Sequence, residues 1–356
     1  MKGIAGKTGI TIGLDVSDRF TEAYAIDANG EFVASWRIPT KAAAFREQLS
    51  RYPGARVVLE VGCHSPWISR QLRGDGFEVV VANPRRVRLI AESDSKCDRL
   101  DAEHLARLGR IDPGLLAPIV HRSEQAQRDR MLLLAREGLV RSRTVLINQA
   151  RGFAKSLGTR LPSSSSEAFA KRVRDGVGEN LFPGLAAILR TVEQLTREIH
   201  SIDRQIERLC EDRYPMTEQL RQPSGVGALT ALAYVLTLED PHRFAKSRDV
   251  GAFLGLRPRQ RDSGDRHPQL RITKAGDQLM RRLLVGAAHY ILGPFGPDTD
   301  LRRFGLRLAE RGGKAAKKRA SVAVARKLAV LLHRLWVTGE MYQAIGYGFT
   351  EGEQAA

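Results

Sequence analysis

The stretch Ile10-Thr11-Ile12-Gly13-Leu14-Asp15-Val16 decides how this chain is read. It reads as a strand, with one carboxylate set among apolar and β-branched neighbours. Working outward, Thr21 to Ile26 and Glu31 to Ile38 read as two more strands, joined at Ala28-Asn29-Gly30, which carries the Asn-Gly hairpin signal. Lys41 to Tyr52 follows as a helix, Ala55 to Val61 as an apolar strand, Pro66 to Gly74 as a helix and Phe77 to Ala82 as another apolar strand. A carboxylate among apolar neighbours is costly unless a cation or donor meets it. Asp15, and Glu60 at the end of Val57-Val58-Leu59-Glu60, are therefore the first candidates for chemistry.

Three antiparallel strands followed by alternating helices and strands is the element order of an RNase H-like α/β domain. In such a sheet the positions of Asp15 and Glu60 are neighbours. Asp98 and Asp101, three residues apart, share one face of the next helix. Four convergent carboxylates repel one another without divalent cations, and oxygen-only ligation selects Mg²⁺ or Mn²⁺. Two such ions activate a nucleophile and stabilise the leaving oxygen of a phosphodiester. The competing reading makes each a capped or salt-bridged surface acid, with Asp18, Glu92, Asp94 and Glu103 the nearby acids most easily confused with the set. His64, close behind Glu60, reads as a packing or hydrogen-bonding residue.

Beyond Asp98 the chain reads as helical as far as Tyr214, broken at Pro113, Pro118, Leu161 to Ser166 and Pro183-Gly184. Leu185, Ile188, Val192, Leu195, Ile199, Ile202, Ile206 and Leu209 form the a/d seam of a coiled coil. So narrow a seam needs a partner: either Arg128 to Leu157 folding back, or the same segment of another subunit. Next, Pro223-Ser224-Gly225-Val226-Gly227 precedes an apolar helix, Ala228 to Leu238. A Gly-rich turn before a helix N-terminus offers backbone N–H groups to a phosphate, as in helix–hairpin–helix modules; an ordinary helix connection is the alternative for Gly225 and Gly227. Arg257 to Lys274 is polar and loop-like. From Arg302 to Arg334 there are eleven Lys or Arg, Lys314, Lys317, Lys318 and Arg319 among them, against one acid, Glu310. With Val322, Val324, Leu328, Leu331, Leu332 and Leu335 alongside, this reads as a helix with one apolar stripe and a basic face for phosphates.

The chain has 356 residues, enough for two or three domains, and 57 Lys and Arg against 40 Asp and Glu give a formal net charge of +17. At 42% hydrophobic and 27% charged it is an ordinary globular composition, so the excess charge sits on folded surfaces. A polyanion partner follows, with nucleic acid first and an anionic membrane surface second. Cys63, Cys97 and Cys210 lie far apart, which argues against a disulfide framework or a thiolate zinc site and for buried free thiols in a cytoplasmic protein. No apolar run approaches the roughly 18 to 20 residues of a membrane span. Gly6-Lys7-Thr8 imitates the end of a P-loop but lacks its strand and first glycine.

The Asp15 strand, the Glu60 strand end and Lys96-Cys97-Asp98-Arg99-Leu100-Asp101-Ala102 resemble the Asp-Glu-Asp-Asp set of the IS one-ten family of insertion-sequence transposases. Pro223 to Gly227, Phe253-Leu254-Gly255-Leu256-Arg257-Pro258, Asp262-Ser263-Gly264 and Ile272-Thr273-Lys274-Ala275-Gly276 look like that family's C-terminal motifs in their usual order. The resemblance implies an α/β plus α architecture: a RuvC-like domain over residues 8–125, a helical coiled-coil region over 126–215 and a mainly helical transposase domain over 216–345. It implies Mg²⁺ on Asp15, Glu60, Asp98 and Asp101, and attack by Ser263 on the scissile phosphate to give a covalent phosphoserine, which conserves the energy of the broken bond for rejoining. Lys274, Arg281 and Arg282 would hold phosphate or nucleic-acid backbone. The implied partners are double-stranded DNA of element ends and target, a structured guide RNA that reads sequence by base pairing, and further copies in a homodimer or homotetramer, on the nucleoid when active. Aromatics at 6% fit a protein that reads backbone rather than stacks on bases. Two rivals remain: a nuclease or junction resolvase using water on the same carboxylates, for which Ser263→Ala is active, and a non-catalytic nucleic-acid-binding protein, for which Asp15→Asn changes nothing.

Overall fold

The computed structural model describes residues 9–86, 97–177, 182–261, 263, 268, 270–310 and 312–346. They divide into two compact units, 1–123 and 124–356. Gly6-Lys7-Thr8 lies outside the described residues.

The first unit is built on five strands: β1 (Thr11–Val16), β2 (Phe20–Ile26), β3 (Phe32–Pro39), β4 (Arg56–Glu60) and β5 (Glu78–Ala82). Their order is β3-β2-β1-β4-β5; β1, β2 and β3 pair antiparallel, and β4 joins β1 and β5 in parallel. The Asn-Gly turn works as its chemistry suggests. Asp27 Oδ1 accepts the N–H groups of Asn29 and Glu31 at 2.8 and 2.9 Å, and Gly30 takes φ +91°, which a side chain would resist.

One sheet face buries Ile12, Leu14, Ala25, Val57 and Leu59 under helices α1 (Ala42–Leu49) and α2 (Ser65–Gly74), which contribute Phe45, Leu49, Ile68 and Leu72. The other carries α3 (Asp98–Ile111), whose Ala102, Leu105 and Ala106 pack on Tyr24, Ile26, Val58 and Val80. This helix lies very close to the sheet. A Cβ on Gly13 would stand 1.9 Å from the Ala102 carbonyl oxygen, and one on Gly109 would stand 2.3 Å from Val58 Cγ2. Buried Arg56 donates to the Gly109 carbonyl at 2.9 Å, and Arg110 donates to that of Ala28 at 3.1 Å. The C-terminal end of α3 is thus fixed at the start of β1, so its first turn comes to the carboxyl ends of β1 and β4.

In the second unit the elements are helices: α4 (Glu124–Ser156), α5 (Phe169–Val177), α6 (Pro183–Asp212), α7 (Met216–Leu220), α8 (Ala228–Leu238), α9 (Asp249–Phe253), α10 (Gln278–Leu292), α11 (Asp300–Ala309) and α12 (Gly313–Thr338). The seam of α6 packs against α4 of the same chain, antiparallel. Asp129 takes Arg213 at 2.8 Å and Tyr214 at 2.7 Å, Arg136 pairs with Asp203, and Arg143 donates to Thr196 at 3.2 Å. Folding back, one of the two partners left open by the seam, is therefore the one found. Leu189, rather than the expected Ile188, is buried beside Leu185 and Val192. Almost all of α8 is buried, and Tyr234 donates its hydroxyl to the Ala329 carbonyl at 2.6 Å.

Two expectations need correction. Arg302 to Arg334 is not one helix with a basic face. Gly312, at φ +88°, caps α12 and Gly313, at φ +72°, begins it, so that α11 and α12 are separate helices, and α12 from Ala320 onward is buried on most sides through Ser321, Val324, Ala325, Leu328, Ala329, Leu331, Leu332 and Leu335. The cysteines are not all buried either: Cys63 and Cys97 are exposed and Cys210 alone is covered, all three as free thiols. Among the described residues no helix is long and apolar enough to cross a membrane.

Candidate functional site

Side chains alternate along a strand. Since Ile12 and Leu14 face α1 and α2, Gly13 and Asp15 face α3. The register Leu14↔Leu59 puts Glu60 beside Asp15 on the parallel neighbour, and Asp15↔Glu22 puts a third carboxylate opposite it on β2. Asp98 and Asp101 sit in the first turn of α3, where the helix dipole favours negative charge. The consequence shows on Asp15, whose pKa is raised to about 6 by burial first, then by Asp98, Asp101, Glu60 and Glu22. Of the four acids singled out in the sequence, three thus act on Asp15.

Glu22 was missed. Its signal was available in the register, because a hairpin turning at Ser17 to Arg19 sets Glu22 across from Asp15. Arg37 of β3 holds it at 2.6 Å. Of the acids open to confusion, Asp18 pairs with His64 Nε2 at 3.0 Å and Glu103 with Arg107 at 2.7 Å; Glu92 and Asp94 lie outside the described residues. Trp67 donates its indole N–H to His64 Nδ1 at 3.1 Å, so Nε2 carries the proton toward Asp18 and His64 is a hydrogen-bonding residue. Among the described residues no three His, Cys, Asp or Glu close to metal-binding spacing. The neighbouring carboxylates reach Asp15 through space without forming a finished cage.

Ser263 belongs to the second unit. Two short segments pair antiparallel there: Arg259 N–H bonds to Arg271 O at 3.0 Å, and Thr273 N–H to Arg257 O at 2.9 Å. Ser263 lies exposed on the chain connecting them, while Asp262 and Gly264 lie outside the described residues. The base of this segment is backbone against backbone. A Cβ on Gly276 would meet the Phe253 carbonyl oxygen at 2.1 Å, and one on Gly255, at φ +71°, would meet Ala275 N at 2.5 Å. Arg281 clasps the same base by donating to the carbonyls of Leu254, at 3.1 Å, and Gly276. Arg282 pairs with Glu137 at 2.7 Å. Lys274 is exposed at φ +54°, strained for a residue with a side chain.

The remaining basic and glycine positions separate into two kinds. Gly225, at φ +85°, turns its Cα toward α10, where a Cβ would stand 2.9 Å from the Ala287 carbonyl oxygen; Gly227 is exposed with open space around it. Arg302 donates to the Ile291 carbonyl at 2.6 Å, Arg303 pairs with Asp298, Lys327 lies 4.8 Å over the Phe304 ring, and Arg334 pairs with Glu340 at 2.7 Å. Lys314, Lys317, Lys318 and Arg319 are exposed together in the first two turns of α12, whose first turn holds no acid. Cations there oppose the helix dipole, an arrangement that favours an anionic visitor.

Comparison with known proteins completes the picture. Residues 12–157 match a family model described as a transposase, of the DEDD type named for IS110, and residues 217–299 match one described as the transposase IS116/IS110/IS902 family. The chain is similar to the transposase for insertion sequence element IS1111A of Coxiella burnetii, at 28% identity over 93% of this chain and 91% of that protein. It is similar to the transposase for insertion sequence element IS1328 of Yersinia enterocolitica, at 30% identity over 67% of this chain and 72% of that one. A probable family 20 transposase of Pseudomonas aeruginosa is 27% identical over 82% of this chain and 86% of its own length.

Proposed function

Because the chain belongs to the IS116/IS110/IS902 family of transposases, we propose that it cuts and rejoins the DNA of an insertion sequence through a phosphoserine at Ser263, with a RuvC-like carboxylate site on Asp15, Glu60, Asp98 and Asp101. The observation that carries this reading is the crowding of acids around Asp15. Its carboxyl is held protonated up to about pH 6 by burial and like charge, a cost with no structural return unless a cation enters. An all-oxygen donor set fits Mg²⁺ or Mn²⁺. Such a cation, when bound, withdraws charge from the phosphodiester and from the oxygen that leaves it.

The chain's own residues do the rest. Asp15 and Glu60 are held by neighbouring strands, and Asp98 and Asp101 by a helix locked through Gly13. Ser263 forms its Oγ–P bond as a strand P–O bond breaks, and the serine proton ends on the leaving sugar oxygen. That oxygen, or one from a second strand, later attacks phosphorus and frees the serine. Glu22, steadied by Arg37, adds negative potential that draws a cation in. Lys317 and Lys318 contact DNA backbone, and sequence choice falls to a guide RNA, in a homodimer or homotetramer.

The test is a denaturing gel of purified protein, Mg²⁺, flanking RNA and labelled element-end DNA. A protein–DNA adduct that disappears in Ser263→Ala is the expected result. Cleaved DNA without an adduct in either protein would replace the serine with water.

A further inference from the structure

Arg326 of α12 is half-buried, and no carboxylate among the described residues pairs with it. Its stem lies on Gly251 of α9, where a Cβ would stand 3.0 Å from Arg326 Cγ and 3.3 Å from Nε. Just past α9 the chain doubles back, with Gly255 N–H bonded to Ala252 O and Leu256 N–H to Gly251 O, both at 2.9 Å. Arg257 leaves that same turn, its Nη2 on Gln260 Oε1 at 2.8 Å and its carbonyl on Thr273. The Arg326 stem therefore lies against the turn from which Arg257 leaves, at the base of the Ser263 segment, near enough for the charge of Arg257 to act on it. Burial, and after it the charge of Arg257, disfavours the charged form of Arg326.

A packing role needs only the aliphatic stem of Arg326. The fork at its end, partly removed from water and next to a like charge, is destabilising in the free protein unless an anion joins the pair. Guanidinium forks match phosphate oxygens in shape and charge. We propose that Arg326 and Arg257 together hold one phosphodiester of the DNA strand at the base of the Ser263 segment. The proposal rests on the reading of this unit as the one that presents Ser263 to DNA, and adds the group that grips the strand there.

The experiment uses the full chain in EDTA, so that no strand is cut, and a short labelled duplex of the element end, followed by fluorescence anisotropy across a salt series. Arg326→Met, which keeps the stem, is expected to bind about tenfold more weakly. Its log Kd against log salt should lose about 0.9 in slope, with a thermal midpoint no lower than that of the wild type. Arg326→Lys should recover the slope but not the full affinity. Arg257→Met combined with Arg326→Met should cost less than the product of the single losses, because both serve one phosphate. Wild-type affinity and slope in Arg326→Met would overturn the proposal. So would full multiplicativity of the two losses, or a loss confined to guide RNA with DNA affinity unchanged. If Ser263 is not the nucleophile, the adduct gel fails while these affinities stand.

Discussion

At the carboxyl end of the sheet, Asp15, Glu22, Glu60, Asp98 and Asp101 are brought toward one another until Asp15 keeps its proton to about pH 6. In the helical unit the same chain does the reverse with most of its cations: Arg302 is spent on carbonyls, Arg303 and Arg334 on carboxylates, Lys327 on a ring. Matched charge is what a fold needs. Among the described residues, like charges are left crowded at Asp15 and its acid neighbours, at the lysines heading α12, and at Arg326 near Arg257; on the reading proposed above each would take a partner of the opposite sign, a cation at the first and phosphate at the other two.

The hardest blow to that contrast would be a mismatch that does nothing. Asp15→Asn is expected to lower strand cleavage by at least about 10³-fold, while affinity for DNA measured in EDTA stays within about twofold of wild type. Cleavage near the wild-type rate would make the acids structural and leave the comparison without content.

Next in size is the packing that creates the crowding. Gly13→Ala drives a methyl into the Ala102 carbonyl and should destabilise the first unit by about 3 kcal/mol, read by urea denaturation. Gly62→Ala, near Glu60 but with nothing within 4 Å, is the control and should change stability by less than about 0.5 kcal/mol. Equal effects would mean that α3 is not held on β1 as described.

How much of this was legible beforehand follows from the same geometry. The strands were read to within a residue because period-2 apolar runs and an Asn-Gly turn are local signals. Asp15 stood out because its neighbours are apolar, whereas Glu22 sits on a strand whose register must be worked through before it faces Asp15. The basic stretch from Arg302 was misjudged because counting charges ignores Gly312-Gly313, which splits the helix, and because Arg302 and Lys327 look like solvent cations until their carbonyl and ring are seen. The partner of the α6 seam could not be chosen from the seam itself, since both options bury the same residues.

A smaller effect sharpens the acid side. Asp15 binds its proton up to about pH 6 when folded, but only to near the ordinary 3.8 when unfolded. Between those values the folded chain holds more protons than the unfolded one, so stability falls as pH rises and the loss is complete above pH 6. Asp15→Asn removes that loss. In EDTA at pH 7.5 it should be more stable than wild type by about 1–2 kcal/mol, allowing for the partial exposure of the site, with the gap closing toward pH 4. A gap that widens toward pH 4 would reverse the assignment of the charge.

The smallest effect tests the basic side by the same logic. Lys317 is exposed in the second turn of α12, where the positive end of the helix dipole and its neighbours Lys314 and Lys318 all oppose its charge. Lys317→Gln should therefore raise stability slightly, by about 0.3–1 kcal/mol at low salt, and the gain should fade as salt screens the repulsion. The same change should remove about 0.9 from the salt slope of DNA binding if Lys317 meets one phosphate. A gain in stability together with a lost slope marks a charge held against the fold's own repulsion for a partner. A lysine that is merely solvated would shift the first without the second, and one that stabilises the fold would lower the first without touching the second.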